Sequence, residues 1–314
     1  DTPGGLKVQT IHAFCESLLG RFPIEAGLAP HFKVMDERTA TEALLAARDE
    51  ILNAARSGAE DALAEALAVV TGWVHEDEFA DLMAEIVSSR GRLHRLILAH
   101  DGAEGASNAT RALLDVAAEE TLDVLLRSAA TDITIDEAGL REAVAILSAG
   151  GKQDKAKASL IAPWLTGETE RRITNFDAYV TAYLTIGGTI RATLASKSAV
   201  KALPNIIDVM QREADRLFTV QEKRKAIQTV VATDAILVFA TSLIDRYEKY
   251  KSRNAILDYD DLILRARALV ESAAPWVLFK LDGGLDHMLI DEAQDSNADQ
   301  WAVVRAIVDE FHAG

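Results

Sequence analysis

The sequence predicts a mainly α-helical protein with few β-strands. Apolar residues recur at steps of three and four over most of the chain, which is the spacing of a helix with one buried face. Strand candidates stand only near the two ends, at residues 6–11 and in the apolar run that leads into Asp291. Because two strands cannot make an independent sheet of normal size, we expect a small, partial α/β region attached to a larger helical one.

The first predicted helix follows the strand at 6–11 and ends near Phe22. A turn and an extended segment at 31–35 then lead to Asp36, a residue type that commonly caps a helix N-terminus. Leu44, Ala47 and Ile51 share one face of the helix expected after it. Further helices are predicted at 60–71, 76–99, 108–128, 136–148 and 168–186, and the Gly/Ser/Ala-rich stretches 101–107 and 148–158 are predicted to be loops.

The longest periodic stretch runs from Pro204 to about Lys251. Such a stripe is typical of a helix buried against its neighbours rather than of a cofactor site. Its members are Ile236, Phe239, Leu243, Tyr247 and Tyr250.

Three aspartates, Asp258, Asp260 and Asp261, stand at the start of the next predicted helix. One interpretation is a metal cluster. The other is an N-cap with a solvated first turn, which we favour because acidic groups suit the positive end of the helix dipole. In that helix Leu262, Leu264, Ala268 and Leu269 are expected to be buried, and in the terminal helix Trp301, Val304 and Ile307.

Composition narrows the class of protein. The net charge is 33 − 49 = −16 over 314 residues, which argues against strong autonomous DNA binding because phosphate neutralisation dominates non-specific affinity. The single cysteine, Cys15, excludes an internal disulfide and is expected to be a small buried side chain. We find no signal peptide and no apolar run of membrane-spanning length, so we expect a cytoplasmic protein without a membrane partner.

The most specific string lies near the C-terminus and reads Leu289-Ile-Asp-Glu-Ala-Gln-Asp295. A strand that ends in two acids places them at a sheet edge where ligands bind. There Asp291 would hold Mg²⁺ and Glu292 would activate the attacking water. The string resembles the Walker B segment, motif II, of superfamily 1 helicases of the UvrD/Rep type. The resemblance implies that Gln294 and Asp295 couple to the nucleotide.

Two more segments carry the same resemblance. Thr10-Ile-His-Ala-Phe14 resembles the Thr-x-His-x-Phe segment of the family, which implies that Thr10, His12 and Phe14 lie at single-stranded DNA. For Phe14, packing of its helix is an equally good explanation. Leu257-Asp-Tyr-Asp-Asp-Leu262 matches a string that precedes motif II in the family. The residues around His12 are most similar to those of the RecB/AddA branch. This resemblance implies an AddA-like subunit of a double-strand-break repair helicase–nuclease. It also implies an AddB-like partner and action on a duplex DNA end.

The phosphate-binding loop Gly-x-x-x-x-Gly-Lys-(Ser/Thr) does not occur in the sequence. We therefore expect a fragment, inactive alone, of a larger 3′→5′ motor that binds ATP and Mg²⁺, with neither held tightly by the fragment. The resemblance implies that residues 1–30 and 256–314 supply part of a RecA-like domain, 1A, and that 31–255 form a 1B-like helical insertion.

Two alternatives remain open at this point. The chain could be a stand-alone helical protein-interaction module on a degenerate motor scaffold, or an unrelated helical protein with accidental motifs. The lack of an initiator Met before Asp1-Thr2-Pro3 favours the fragment over the module.

Overall fold

A computed structural model of the chain describes residues 9–272 and 298–313, and within that part the fold is mainly α-helical, as predicted. The chain divides into two compact units. The first comprises Asp1–Ala99 and Ala235–Gly314, and the second His100–Asp234. This division reflects compactness alone, and the boundaries near residues 30 and 255 between a motor domain and an insertion stay a prediction.

The elements of the first unit come from both ends of the sequence. In chain order they are α1 (Ile11–Arg21), β1 (Lys33–Val34), α2 (Glu37–Ser57), α3 (Asp61–Trp73), α4 (Glu76–Ser88), α5 (Arg90–Ala99), the later part of α13 (Ile206–Asn254), β2 (Ile256–Leu257), α14 (Tyr259–Ser272) and α15 (Ala298–Ala313).

The second unit contains the intervening helices and the start of α13. They are α6 (Ala103–Leu113), α7 (Leu122–Thr131), α8 (Glu137–Ala149), α9 (Lys152–Leu165), α10 (Thr169–Thr174), α11 (Phe176–Val180) and α12 (Lys197–Ala202). The larger of its cores includes Trp164, whose ring stacks on Tyr179 with the centroids 4.0 Å apart.

In the part of the chain described, β1 and β2 form a two-stranded parallel pair, with Lys33 opposite Ile256 and Val34 opposite Leu257. Parallel strands need a crossover connection, and here it includes the whole second unit. The segment predicted to be extended at 31–35 contains β1, although no strand was predicted there. The strand predicted at 6–11 is not seen at its described end, because Ile11 already lies in α1.

Two separate cores stabilise the first unit. One lies among α2, α3, α4 and the later part of α13. The other lies among α1, β2, α14 and α15 and includes Cys15, which is fully buried as predicted, so that burial raises the pKa of its thiol to about 12. This second core positions the segment around His12.

Helix α13 is the long periodic helix that the sequence predicts. Phe239, Leu243 and Tyr247 of its stripe are buried in the first unit. By length and composition it could cross a membrane, since one window has a mean hydropathy of 1.8, which corrects the expectation that no apolar run is long enough. Because its residues contribute to the cores of both units, a core helix explains the same composition.

Several predicted elements are wrong in detail. Residues 101–107 and 148–158, predicted to be loops, lie largely in α6 and α9, because alanine and lysine favour helix even beside glycine. The helix predicted at 76–99 breaks at Ser89, whose backbone leaves the helical region at ψ 2°. The helix predicted at 108–128 divides where Asp115 adopts a positive φ of 52°.

The buried faces predicted for the last two helices are confirmed at Leu262, Leu269 and Ile307 but differ at other positions. In α14, Ile263 and Ala266 are buried, whereas Ala268 is exposed. In α15, Val303 is buried beside Ile307, and Trp301 is 41% exposed.

Candidate functional site

Thr10 caps the N-terminus of α1. Its backbone is extended at φ −69° and ψ 159°, and its hydroxyl Oγ1 accepts a hydrogen bond from the Ala13 N–H at 3.2 Å. The hydroxyl proton stays free to be donated, because the cap uses only the acceptor capacity of the oxygen. Thr10 is exposed. A helix N-terminus also carries partial positive charge, so this end of α1 suits an anion such as phosphate.

His12 and Phe14 follow on the first turns of α1. The His12 ring is half-buried and meets Tyr259 of α14 edge-on, with ring centroids 5.5 Å apart and planes at 76°. Phe14 is half-buried and packs against the core that contains Cys15. Of the two explanations for Phe14, this contact supports packing of the helix. His12 therefore sits on the helix rather than at a strand end.

The three aspartates at the start of α14 are helix caps and ion-pair partners. Asp261 N–H donates to Asp258 Oδ1 at 2.7 Å, and Asp258 N–H donates to Asp261 Oδ2 at 3.0 Å. The guanidinium of Arg90, at the start of α5, lies against all three carboxylates. Among the residues described, no group of three or more His, Cys, Asp or Glu side chains is arranged to hold a metal. The capping part of the interpretation is confirmed, but the solvated first turn is wrong, because the side chains of Asp258 and Asp261 are largely buried in ion pairs.

Charge sets how these carboxyl groups titrate. Burial would raise the pKa of Asp258, but the positive charges of Arg90 and Lys251 outweigh it and hold that pKa below its usual value. Burial raises the pKa of Asp260 despite the opposing attraction of Arg90. Asp258 is therefore ionised over the whole physiological range, as its hydrogen bonds require.

The acidic string itself lies outside the described residues, and so do its candidates Asp291, Glu292, Gln294 and Asp295. The helix that follows it, α15, is described from Ala298 onward. Its second residue, Asp299, accepts hydrogen bonds from Arg95 of α5 and Arg267 of α14. The first turn of α15 is thus held by ion pairs to α5 and α14.

The small basic groups in the sequence are largely engaged within their own units. Lys251, which stands beside the 257–262 string, is 2% exposed and paired with carboxylates, so it cannot reach an outside ligand. Lys157 donates to the carbonyl oxygens of Thr193 and Leu194. Lys223 and Arg224 pair with Glu120 and Asp177, respectively. The basic side chains named here are therefore engaged in ion pairs and hydrogen bonds within their own units.

Comparison with known families decides the broad class. A family model for the UvrD/REP helicase N-terminal domain matches residues 4–313. The chain belongs to this family. UvrD/REP helicases hydrolyse ATP and bind DNA, so the chain is a helicase domain of superfamily 1. No curated protein matches the chain.

Within this UvrD-type domain, sequence reasoning missed the partners of the charged groups. Nothing near Arg90 or Arg95 in the sequence indicates a partner, yet Arg90 is 5% exposed and Arg95 pairs with Asp299. Their partners lie 168 and 204 residues away in the sequence. The one local signal was the density of aspartates at 258–261. Such carboxylates can be buried only if cations pair with them.

Proposed function

We propose that the chain is part of an ATP-dependent 3′→5′ DNA helicase that acts in double-strand-break repair and recombination. Its family membership supports the helicase, and the spelling Thr10-Ile-His-Ala-Phe-Cys15 supports an AddA-like subunit with an AddB-like partner in the cytoplasm. The observation that carries the proposal is the pair Asp291–Glu292 inside the string Leu-Ile-Asp-Glu-Ala-Gln-Asp, in a chain that belongs to the UvrD/REP family.

Each acid has a distinct chemical role in this proposal. Asp291 coordinates Mg²⁺, directly or through water, because a hard cation prefers carboxylate oxygen. Glu292 orients and deprotonates the water that attacks the γ-phosphate of ATP. Gln294 and Asp295 couple the nucleotide state to the rest of the domain. The ion pairs that Asp299 makes with Arg95 and Arg267 support this arrangement, since they fix the helix that follows.

Thr10 and His12 are proposed to contact the single-stranded DNA backbone. A hydroxyl and an imidazole can donate hydrogen bonds to phosphate without reading the base sequence. The exposed N-terminus of α1 supports this role, because backbone N–H groups and the helix dipole favour an anion there. Phe14 contributes by packing α1 on its core.

The grip on the phosphates is proposed to come from outside these 314 residues, whose sequence has no Gly-x-x-x-x-Gly-Lys-(Ser/Thr) string. Without such a loop no lysine and no nest of N–H groups hold the γ-phosphate against Glu292. ATP and Mg²⁺ therefore act in the complete motor.

A second candidate function is a helical protein-interaction module on a degenerate motor scaffold. The same missing loop favours it. ATP hydrolysis by the complete protein separates the two candidates. Only the motor should hydrolyse ATP when this chain is expressed together with the coding sequence around it.

The test uses the complete protein and measures ATP hydrolysis with and without single-stranded DNA. Glu292→Gln should keep nucleotide binding and lose turnover by roughly two to four orders of magnitude, the range attributed to a general base. Asp291→Ala should instead weaken Mg²⁺–ATP binding. Asp295→Asn tests the rival assignment, in which Asp295 rather than Glu292 is the base. If Glu292→Gln hydrolyses ATP normally and Asp295→Asn does not, the roles of the two acids are reversed. If wild-type protein has no ATPase, the interaction module is the better description.

A further inference from the structure

Arg90 is a buried cation that pairs with three carboxylates of one turn, at positions 258–261, and also with Glu248 of α13 at 3.5 Å. Its guanidinium lies 2.5 Å from Asp258 Oδ1, 3.0 Å from Asp261 Oδ1 and 3.2 Å from Asp260 Oδ2. It also donates to the Val87 carbonyl at 2.9 Å. The start of α5 is thereby fixed against the first turn of α14.

Lys251 approaches the same turn from the end of α13. Its ammonium lies 2.6 Å from Asp261 Oδ2 and 3.2 Å from Asp258 Oδ2, and it is also 2.7 Å from Glu248. The Tyr247 hydroxyl donates to Asp258 Oδ2 at 3.0 Å. Both carboxylates are thus held from two sides by hydrogen bonds to cations.

Stability alone does not explain this cluster. Removing charges from water costs about as much as their attraction returns, and apolar residues of similar volume often stabilise a protein as well or better. What a fully hydrogen-bonded ion cluster adds is a single geometry, because several donors and acceptors must all be met at once. The geometry that it fixes is that of residues 258–261.

One residue of this turn reaches the candidate DNA segment. Tyr259 lies between Asp258 and Asp260, its side chain is 58% exposed, and its ring meets His12 edge-on. A shift of the first turn of α14 therefore shifts the surface against which the imidazole of His12 rests.

We propose that Arg90 and Lys251 are positioning residues that place His12 for its contact with DNA. They act through Asp258 and Asp261 on the first turn of α14, and Tyr259 transmits that position to the imidazole. The DNA consequence rests on the function proposed above for His12, whereas the positioning itself is a property of this fold.

The experiment has two readouts. In the 314-residue chain, NMR measures the nuclear Overhauser contact between the His12 and Tyr259 rings. In the complete helicase, ATPase measurements give the half-saturating concentration of single-stranded DNA and the turnover at saturating DNA. The variants are Arg90→Met, Arg90→Lys and Tyr259→Leu. Arg92→Met is the matched control, because Arg92 is two residues from Arg90 in α5 and its side chain is 77% exposed.

Arg90→Met should lose the ring contact and raise the half-saturating DNA concentration by roughly fivefold or more, with turnover at saturating DNA nearly kept. Arg90→Lys should restore part of both. Tyr259→Leu changes an exposed side chain and spares the ion cluster. It should raise the half-saturating DNA concentration in the same way, and it provides the test of the DNA effect if Arg90→Met does not fold. Arg92→Met should change neither readout.

If folded Arg90→Met keeps the contact between the His12 and Tyr259 rings, the positioning role is overturned, whatever the half-saturating DNA concentration of that variant. Tyr259→Leu with a normal DNA dependence overturns the link to His12. If the ring contact is lost as expected but replacing His12 itself by Ala leaves the DNA dependence normal, the positioning stands and the function proposed for His12 fails.

Discussion

Arg95 and Asp299, which are 204 residues apart in the sequence, form an ion pair with Nη1 and Oδ1 separated by 2.6 Å. The same carboxylate oxygen accepts from Arg267 Nη1 at 2.7 Å. Asp299 is the second residue of α15 and follows the acidic string by only a few positions. Helices α5 and α14 are thus both tied to the helix that continues from the proposed catalytic acids.

Asp299→Ala should lower the free energy of unfolding by about 1–2 kcal/mol, because two charge-assisted hydrogen bonds end on a mostly buried side chain. Urea unfolding of the 314-residue chain measures the change. Glu271→Ala is the matched control, since Glu271 also pairs with Arg267 but its side chain is 46% exposed. The control should change stability by less than about 0.5 kcal/mol. Equal losses in both variants would mean that Asp299 is no more than a surface pair.

The lowered pKa of Asp258 predicts how the free energy of unfolding depends on pH. Its folded-state pKa lies below the unfolded value of 3.8, because Arg90 and Lys251 overcome the effect of burial. Such a group contributes stability that is present above the unfolded pKa and is lost as the pH falls through the folded-state pKa. The stability difference between wild type and Asp258→Asn should therefore be constant above about pH 5 and shrink below about pH 4. Urea unfolding at a series of pH values checks this.

Asp260 is the matched comparison and should show the opposite sign. Burial raises its pKa above 3.8 in the folded state, so the folded protein binds the proton more tightly than the unfolded chain. Wild type should therefore gain stability relative to Asp260→Asn as the pH falls through the raised pKa. Parallel curves for the two variants would contradict the assignment of different environments to these neighbouring aspartates.

Local signals in the sequence were enough for the helix caps and the long buried stripe. Asp36 accepts from the Thr39 N–H at 2.8 Å, and Asp258 caps α14, as their residue type and place before an apolar period predict. The stripe through Phe239, Leu243 and Tyr247 is buried. These features depend on residues within one or two helical turns, which is why a sequence shows them.

Features that depend on distant partners could not be predicted in this way. The helix at 76–99 breaks at Ser89, next to Arg90, whose carboxylate partners lie about 170 residues further on, at positions 258–261. The buried face of α14 includes Ala266 rather than Ala268, because α1 and α15 pack on that side. In the candidate site, Thr10 and His12 were proposed from the sequence alone, but the contact of His12 with Tyr259 was not predicted.

The 314-residue chain should show no DNA-stimulated ATPase. Glu292 can activate water only if the γ-phosphate is held against it, and positioning accounts for much of phosphoryl-transfer catalysis. With a net charge of −16, the chain should also bind single strands weakly even at low salt. Phosphate release and fluorescence anisotropy with a labelled oligonucleotide measure the two properties. DNA-stimulated turnover by this chain would contradict the proposal that the phosphate grip lies elsewhere.

Thr10 has two roles that a choice of substitutions can separate, the N-cap of α1 and the proposed phosphate contact. Thr10→Ala removes both, so it should cost about 1 kcal/mol of unfolding free energy and weaken DNA stimulation. Thr10→Asp keeps a good cap but places a negative charge beside phosphate. It should therefore match wild type in urea unfolding and still raise the half-saturating DNA concentration of the complete helicase.

Thr10→Ser is the matched control, because it keeps the hydroxyl as both cap acceptor and phosphate donor. It should behave as wild type in both measurements. The effect of Thr10→Asp should be similar for different DNA sequences and should fall as salt is added, since phosphate contacts carry no base information and charge repulsion is screened. If Thr10→Asp needs no more DNA than Thr10→Ser at low salt, Thr10 is a helix cap only, and the DNA contact must be assigned to other residues.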